Sequence, residues 1–361
     1  MKSTIIQEDV AQIISGIGES VHKLSGKTLL ITGGAGFLGN YFLDVIQCLN
    51  ETILEKPCKM ISVDNFLTGL SYRIPNSEHF TRIKHNIKEP LAINEKIDYI
   101  VHAAGIASPK FYRQYKIETI DVATLGTKNM LELANEKKVK SIVFFSSSEV
   151  YGDPDPKHVP TSETYPGNVL CTGPRANYDE SKRLGETLCV AYYETYTVPV
   201  KMIRPFNVYG PGMRSDDYRV IPNFVVSIQK GKDIPVYGTG NHTRTFCYIS
   251  DAMTGFFKVL LSDENGEPFN IGAESEEVTI EDLALTIAGI FKREVRVVHQ
   301  TGPNDAYGTA DPRRRCPNLT KSKTRLGYMS KVGLSEGITR YVKWVRETST
   351  EDISLLELKE P

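Results

Sequence analysis

The sequence is poor in the features that mark several protein classes. Six cysteines stand at Cys48, Cys58, Cys171, Cys189, Cys247 and Cys316, with no CxxC and no His/Cys spacing suited to zinc. Neither a disulfide framework nor a metal site is therefore expected. No apolar run approaches the roughly 20 residues needed to span a bilayer. An excess of one charge sign is missing too: 43 Lys+Arg against 44 Asp+Glu leave a net charge of -1, which provides no basic surface for nucleic-acid phosphates. The opening segment Met1 to Asp9 ends in acidic residues, where a secretory leader would continue from a basic end into an apolar block. The expectation is no leader and, by elimination, a cytoplasmic location. What remains is a chain of 361 residues, 40% hydrophobic and 24% charged, a composition that excludes disorder and a length that suits about two domains.

Ile6, Val10, Ile13, Ile14, Ile17 and Val21 recur at helical spacing with Gln7, Glu8, Asp9 and Glu19 between them, which predicts one amphipathic helix over residues 1–25 packed on the main body or on a second subunit. From Lys27 onward, short β-branched runs alternate with helix-period segments. The runs are Thr28–Ile31, Lys59–Val63, Tyr99–His102, Ser141–Phe145 and Val200–Ile203, and the alternation is that of a parallel sheet covered by helices. Gly and Pro cluster at 152–174 and 205–222, with later breaks at Gly238-Thr239-Gly240 and Gly302-Pro303-Asn304; long loops after strands are where ligand chemistry sits. Beyond about residue 205 the alternation weakens, although Ile280 to Phe291 and Leu334 to Val345 still read as helices.

Thr32-Gly33-Gly34-Ala35-Gly36-Phe37-Leu38-Gly39 follows the first strand directly and leads into a helix pattern at Phe37. Glycines at that turn let the backbone approach a pyrophosphate, whose charge is met by free N–H groups and the helix dipole. The second strand ends in Asp64-Asn65, 25 residues past Gly39, where an acidic side chain accepts hydrogen bonds from the adenosine ribose and repels a 2′-phosphate. NAD is the expected cofactor, in preference to NADP. The small residues Ala103-Ala104-Gly105 would let it lie close over a strand end, while His102 reads as a hydrogen-bonded core residue. The expected fold is α/β: a Rossmann-type doubly wound parallel sheet with a smaller mixed α/β C-terminal substrate region. The expected boundaries are 26–204 for the NAD-binding domain, 205–347 for an interleaved substrate-binding region and 348–361 for a tail.

Tyr178 and Lys182 stand four residues apart, on one face of a helix. An ammonium beside a phenol favours the phenolate, which a free tyrosine does not form at neutral pH. Ser147, in Ser146-Ser147-Ser148-Glu149-Val150-Tyr151-Gly152 after a strand, can bond to the same substrate oxygen.

Over roughly residues 27 to 345 the chain resembles the extended short-chain dehydrogenases/reductases of the NAD-dependent nucleotide-sugar epimerase/dehydratase family, and among them the UDP-glucuronate decarboxylases, which make UDP-xylose. The resemblance rests on Asp64–Gly69, Ala107–Tyr112, Ser148–Pro154, Glu163–Asn168, Gly173–Glu180, Asp216–Val220, Thr243–Phe246 and Arg315–Asn318, together with the glycine turn and Tyr178–Lys182. It implies that Tyr178, helped by Lys182 and Ser147, takes the C4 hydroxyl proton, that the 4-keto sugar loses CO2, and that NAD is regenerated. It further implies that Glu149 orders the C5 side of the ring, that Arg315 sits beside the sugar carboxylate, that Asn207 and Arg244 hold the nucleotide diphosphate, and that the protein is a homodimer. Relatives that eliminate water carry Asp-Glu where this chain has Ser148-Glu149; a neutral hydroxyl is a poor general acid, so 4,6-dehydration is disfavoured. The alternatives are a 4-epimerase or dehydratase-like enzyme on another sugar and, more remotely, a nucleotide-sugar-binding protein without activity. Where the decarboxylases read Thr-Ile-Lys-Thr-Asn, this chain has Thr119-Ile120-Asp121-Val122-Ala123, which puts an anion near the expected sugar side and removes an asparagine.

Overall fold

A computed structural model describes residues 3–69, 73, 75, 77–292, 295–301 and 311–348. Seven parallel strands form the main sheet: β1 (Thr28–Thr32), β2 (Lys59–Asp64), β3 (Phe80–Lys84), β4 (Tyr99–His102), β5 (Ser141–Phe145), β6 (Val200–Pro205) and β7 (Pro268–Ile271). Their order is β7-β6-β5-β4-β1-β2-β3, so the chain reverses direction across the sheet between β1 and β4. Strand residues bury alternate side chains on opposite faces: Leu29, Ile31, Val101, Val143 and Phe145 join one core, and Leu30, Ile61, Ile100, Ile142 and Phe144 the other. A sheet buried on both sides reads in sequence as continuous apolar runs, which is why five of its strands are visible there. β3 escapes that reading because it is a half-exposed edge with the polar sequence Phe-Thr-Arg-Ile-Lys. β7 escapes because it is four residues long and opens on a proline.

The helices used below are α1 (Thr4–Ile17), α2 (Phe37–Thr52), α3 (Thr127–Lys137), α4 (Ala176–Tyr196), α5 (Ile249–Leu261) and α6 (Leu334–Thr348). Among the described residues no helix is long and apolar enough to cross a membrane. α1 lays Ile5, Ile6, Val10, Ile13 and Ile17 into the core shared with α2 and α5. It does not run unbroken to residue 25. Gly18 takes a φ of 69°, and the chain continues as a 3-10 turn over Gly18–Leu24. Asp9 departs from the expected polar face as well: it is fully buried, held by Tyr41, Tyr248 and Arg340.

The C-terminal part of the chain interleaves with the sheet. β7 extends it beside β6 and α5 packs on one face, while the other strands build small sheets over the C-terminal strand ends. In one of these Arg315 lies in register with Arg244, joining Arg314–Arg315 to Thr243–Arg244. The helices predicted at Ile280 and Leu334 form as Ile280–Phe291 and α6. The break at Gly302-Pro303-Asn304 and residues 349–361 of the tail lie outside the described residues.

Candidate active site

In an open parallel sheet, ligands bind where the strand order reverses, here between β1 and β4. The turn after β1 is bare backbone for a steric reason. Gly33 has φ 74°, and a Cβ there would sit 2.8 Å from the Ala104 backbone; a Cβ on Gly39 would sit 2.2 Å from the Gly33 carbonyl oxygen. Gly36 caps α2, with Phe37 and Leu38 as its first helical residues and no acidic side chain in the first turn. At the end of β2, Asp64 accepts hydrogen bonds from the N–H groups of Ala35 (3.0 Å) and Phe66 (2.8 Å). Burial raises its pKa, and those N–H groups pull the other way. Asn65 is half-buried and accepts from the Leu67 N–H at 3.0 Å. Ala103, Ala104 and Gly105 form the facing wall, closing a cleft of about 660 Å³ that also includes Gly33, Gly36, Asp64 and Asn65. A cradle that a Cβ at Gly33 or Gly39 would fill, at a helix N-terminus and beside the Asp64 carboxylate, fits a dinucleotide with an unsubstituted 2′-hydroxyl. His102 is a core residue: its ring bridges the hydroxyls of Thr32 (2.8 Å) and Thr127 (3.1 Å), and burial drives its pKa down to about 3.

Lys182 neighbours Gly105 of this cleft, and Tyr178 neighbours Tyr112 of a second one. The Lys182 Nζ donates to the Phe145 carbonyl at 2.7 Å and lies where a side chain on Gly105 would begin. Burial lowers its pKa to about 8. Tyr178 stacks on Tyr112, with ring centroids 5.1 Å apart and an interplanar angle of 16°. Burial raises its phenol to about 12, and a hydrogen bond with Ser147 is the main opposing influence. Lys182 sits 5.9 Å from the Tyr178 ring centroid. Ser147 caps the short turn Ser148–Tyr151 by accepting from the Glu149 N–H at 3.2 Å.

The second cleft is open to solvent, and its walls include Tyr112, Glu149, Arg175, Asn207, Arg244 and Arg315. Arg315 grips Glu149 with two hydrogen bonds of 2.7 and 2.6 Å, and Arg175 pairs with the same carboxylate. Burial alone would raise the Glu149 pKa, but the two guanidinium groups outweigh it and hold it well below the carboxylate range. Arg175 also meets Asp311 at 2.6 Å and Asp179 at 3.6 Å. Asp179 is pushed up to about 7, first by burial and then by Glu149. Arg244 is buried and donates to the carbonyls of Thr243 (2.8 Å) and Pro312 (2.6 Å). Burial, and then the charge of Arg315, lower its pKa to about 10. Two cationic side chains in one buried wall favour an anionic ligand. Asn207 adopts a left-handed φ of 42° and donates to the Thr245 carbonyl at 2.8 Å.

Of the residues predicted from sequence, Gly33, Gly36, Asp64, Asn65, Ala103, Ala104 and Gly105 line the first cleft and Glu149, Asn207, Arg244 and Arg315 the second. Phe37, Leu38 and Gly39 form the first turn of α2; Lys182 adjoins Gly105 of the first cleft, and Tyr178, bonded to Ser147, stacks on Tyr112 of the second. Asp121 is not on the sugar side: it pairs with Lys88 at 3.3 Å, and Lys88 lines the cofactor cleft. Ala123 is buried in a π-turn, Val122–Gly126, against α4. Tyr112 and Arg175 were missed as cleft residues. Both lie in family-like segments, and Arg175, three residues before Tyr178, shares its helix face.

The family model described as NAD dependent epimerase/dehydratase family matches residues 29–272. UDP-glucuronic acid decarboxylase 6 of Arabidopsis thaliana is 37% identical over 317 residues, covering 87% of each chain. UDP-glucuronic acid decarboxylase 1 of Xenopus tropicalis is 36% identical over 327 residues, covering 89% of this chain and 72% of its own. Among solved structures, a dTDP-glucose 4,6-dehydratase from Bacillus anthracis in complex with NAD is similar with a TM-score of 0.76 at 25% identity, over 92% of this chain and 100% of that one. UDP-glucose 4-epimerase of Thermotoga maritima, with UDP-glucose, shares the fold at a TM-score of 0.77 and 24% identity, over 89% and 99% of the two chains.

Proposed function

The chain belongs to the NAD dependent epimerase/dehydratase family, and from that premise we propose that it decarboxylates a UDP-linked uronic acid, converting UDP-glucuronate to UDP-xylose. The observation that carries this reading is the Arg175–Glu149–Arg315 cluster on the wall of the sugar cleft beside Tyr178. Buried guanidinium groups in that position suit a sugar carboxylate, and two relatives at 37% and 38% identity are UDP-glucuronic acid decarboxylases of Arabidopsis thaliana.

When bound, NAD supplies the hydride acceptor and donor at C4, so the reaction has no net redox change. Gly33, Gly36, Phe37, Leu38 and Gly39 would hold its pyrophosphate and Asp64 and Asn65 its adenosine ribose, with Ala103, Ala104 and Gly105 leaving it room. Tyr178, hydrogen-bonded to Ser147, removes the C4 hydroxyl proton, and Lys182 favours the phenolate once substrate and cofactor exclude water. In the resulting 4-keto acid the C5–C6 bond breaks, its electron pair moves toward O4, and CO2 leaves. Arg315 and Arg175 orient the carboxylate and Glu149 fixes both arginines; a proton from solvent water takes the place of CO2 at C5, and Tyr178 returns its own proton to O4 as hydride is restored to C4. Arg244 and Asn207 face the nucleotide diphosphate. Ser148 supplies no acid for loss of water, which sets this site apart from a dehydratase.

A homodimer in the cytoplasm completes the reading. Exposed Ile117, Leu125 and Leu184 lie on neighbouring packed elements that would meet a second copy, and the cysteines are free thiols. The test is incubation with NAD and UDP-glucuronate, followed by mass spectrometry. Loss of CO2 to a UDP-pentose, absent in Tyr178→Phe, is expected; an unchanged mass with altered stereochemistry would identify an epimerase.

A further inference from the structure

We infer that Asp179, which stands behind Arg175 and outside the reaction itself, sets how strongly the sugar cleft accepts a carboxylate. Protonated, it leaves Arg175 to the incoming anion; ionised, it competes for the same guanidinium. The inference rests on the uronate reading above and concerns binding, not chemistry.

The geometry singles out Asp179 among the acids of the cluster. Arg175 precedes α4, and Asp179 follows one turn later, its Oδ2 3.6 Å from the Arg175 Nε. Its side chain is 8% exposed, and among the described residues its Oδ1 is buried without a hydrogen-bond partner. Glu149 is bonded to two guanidinium groups, and Asp311, at 37% exposure, reaches water. Among the described residues three carboxylates therefore surround Arg175, while Arg315 pairs with Glu149. A substrate carboxylate would add a fourth. An unpartnered buried charge is costly, so the proton taken up when that anion binds goes to Asp179, the acid with the weakest partner.

Other charged and titratable groups face Asp179 or the cleft. Glu149 and Arg315 approach it across the cleft, and Tyr112 and Tyr178 stack nearby. Glu149 stays ionised and both phenols stay neutral over the neutral range. His242 lines the same cleft near Arg244, and burial keeps its pKa below the ordinary histidine value.

The test uses NAD-loaded Tyr178→Phe protein, which holds ligands without turnover, titrated with UDP-glucuronate and with UDP-glucose. Between about pH 6 and about pH 8, the UDP-glucuronate Kd should rise about tenfold while that of UDP-glucose stays level, as expected for one added charge beside a buried anion site. Calorimetry near neutral pH in buffers of different ionisation enthalpy should show proton uptake with UDP-glucuronate only. Adding Asp179→Asn should flatten the slope at the tight, low-pH level, and Asp179→Glu should restore it; Asp179→Ser serves if the Asn variant does not fold. A slope that survives in Asp179→Asn or Asp179→Ser, an equal slope for UDP-glucose, or no preference for the uronate at any pH overturns the assignment. If UDP-glucuronate binds with this signature but the unmodified protein releases no CO2, the Asp179 assignment stands and the decarboxylase reading falls.

Discussion

Replacing Asp9 with asparagine should stabilise the protein at neutral pH, although it removes a charge that an arginine contacts. Asp9 is fully buried on α1 and accepts hydrogen bonds from Tyr248 (3.0 Å), Tyr41 (3.3 Å) and Arg340 (3.3 Å). Burial outweighs all three and raises its pKa from 3.8 to about 6. For a carboxyl whose folded pKa lies above its unfolded one, the folded state binds the extra proton. Stability is therefore fully present below the unfolded value and is lost as pH rises through the folded one. A displacement of roughly two pH units corresponds to about 3 kcal/mol. The amide of the Asp9→Asn variant would keep the shape and an acceptor for Arg340 or Tyr248 without the charge. Urea unfolding followed by tryptophan fluorescence and circular dichroism should give nearly equal stabilities at about pH 4, with the variant ahead by up to about 3 kcal/mol at about pH 7. An Asn variant that is less stable by the same amount at every pH would refute the reasoning. It would mean that the bonds to Arg340 and the tyrosines exceed the cost of burying the charge.

Gly39→Ala should lose NAD binding at least a hundredfold by calorimetry, an order-of-magnitude expectation for a displaced phosphate turn, because its Cβ would lie 2.2 Å from the Gly33 carbonyl oxygen; unchanged affinity would show that the turn relaxes freely. Asp64→Asn should weaken NAD by about tenfold or more while narrowing the gap to NADP, since the acceptor oxygens at the end of β2 lose their charge; a competition titration with both nucleotides measures it. Glu186→Gln leaves Arg204 buried without the carboxylate it now meets at 2.8 and 2.5 Å, and should cost about 3 kcal/mol in urea unfolding. A loss below about 1 kcal/mol would mean that Tyr151 and the Glu163 carbonyl, its other partners, suffice.

Much of the site was legible because its chemistry is local. The glycine turn, Asp64, Ser147 and the Tyr178–Lys182 pair are each defined by neighbours within one strand, turn or helix. Their spacing translates directly into a shared face or a free row of N–H groups. Arg175 was harder to see: its importance lies in reaching Glu149 in the 148–151 turn and Asp311 far along the chain. Tyr112 matters through its stacking on a ring 66 residues away in sequence. Asp121, read as a charge near the sugar, is explained by Lys88, 33 residues earlier. No local pattern announces such pairs.

The amino-acid sequence by itself determined the parallel α/β architecture, the bare glycine turn after β1 and the placing of Tyr178 and Lys182 on one helix, because hydrophobic period, glycine placement and i,i+4 spacing act within a few residues. Only the tertiary structure decided which charges are paired and which protons are held. It buried Asp9 beneath a helix whose polar residues looked solvent-facing, and it set Glu149 between two arginines while leaving Asp179 one oxygen without a partner among the described residues. The physical reason is that the energy of a charge depends on desolvation and on partners brought from distant segments. Both exist only once the chain has closed around them.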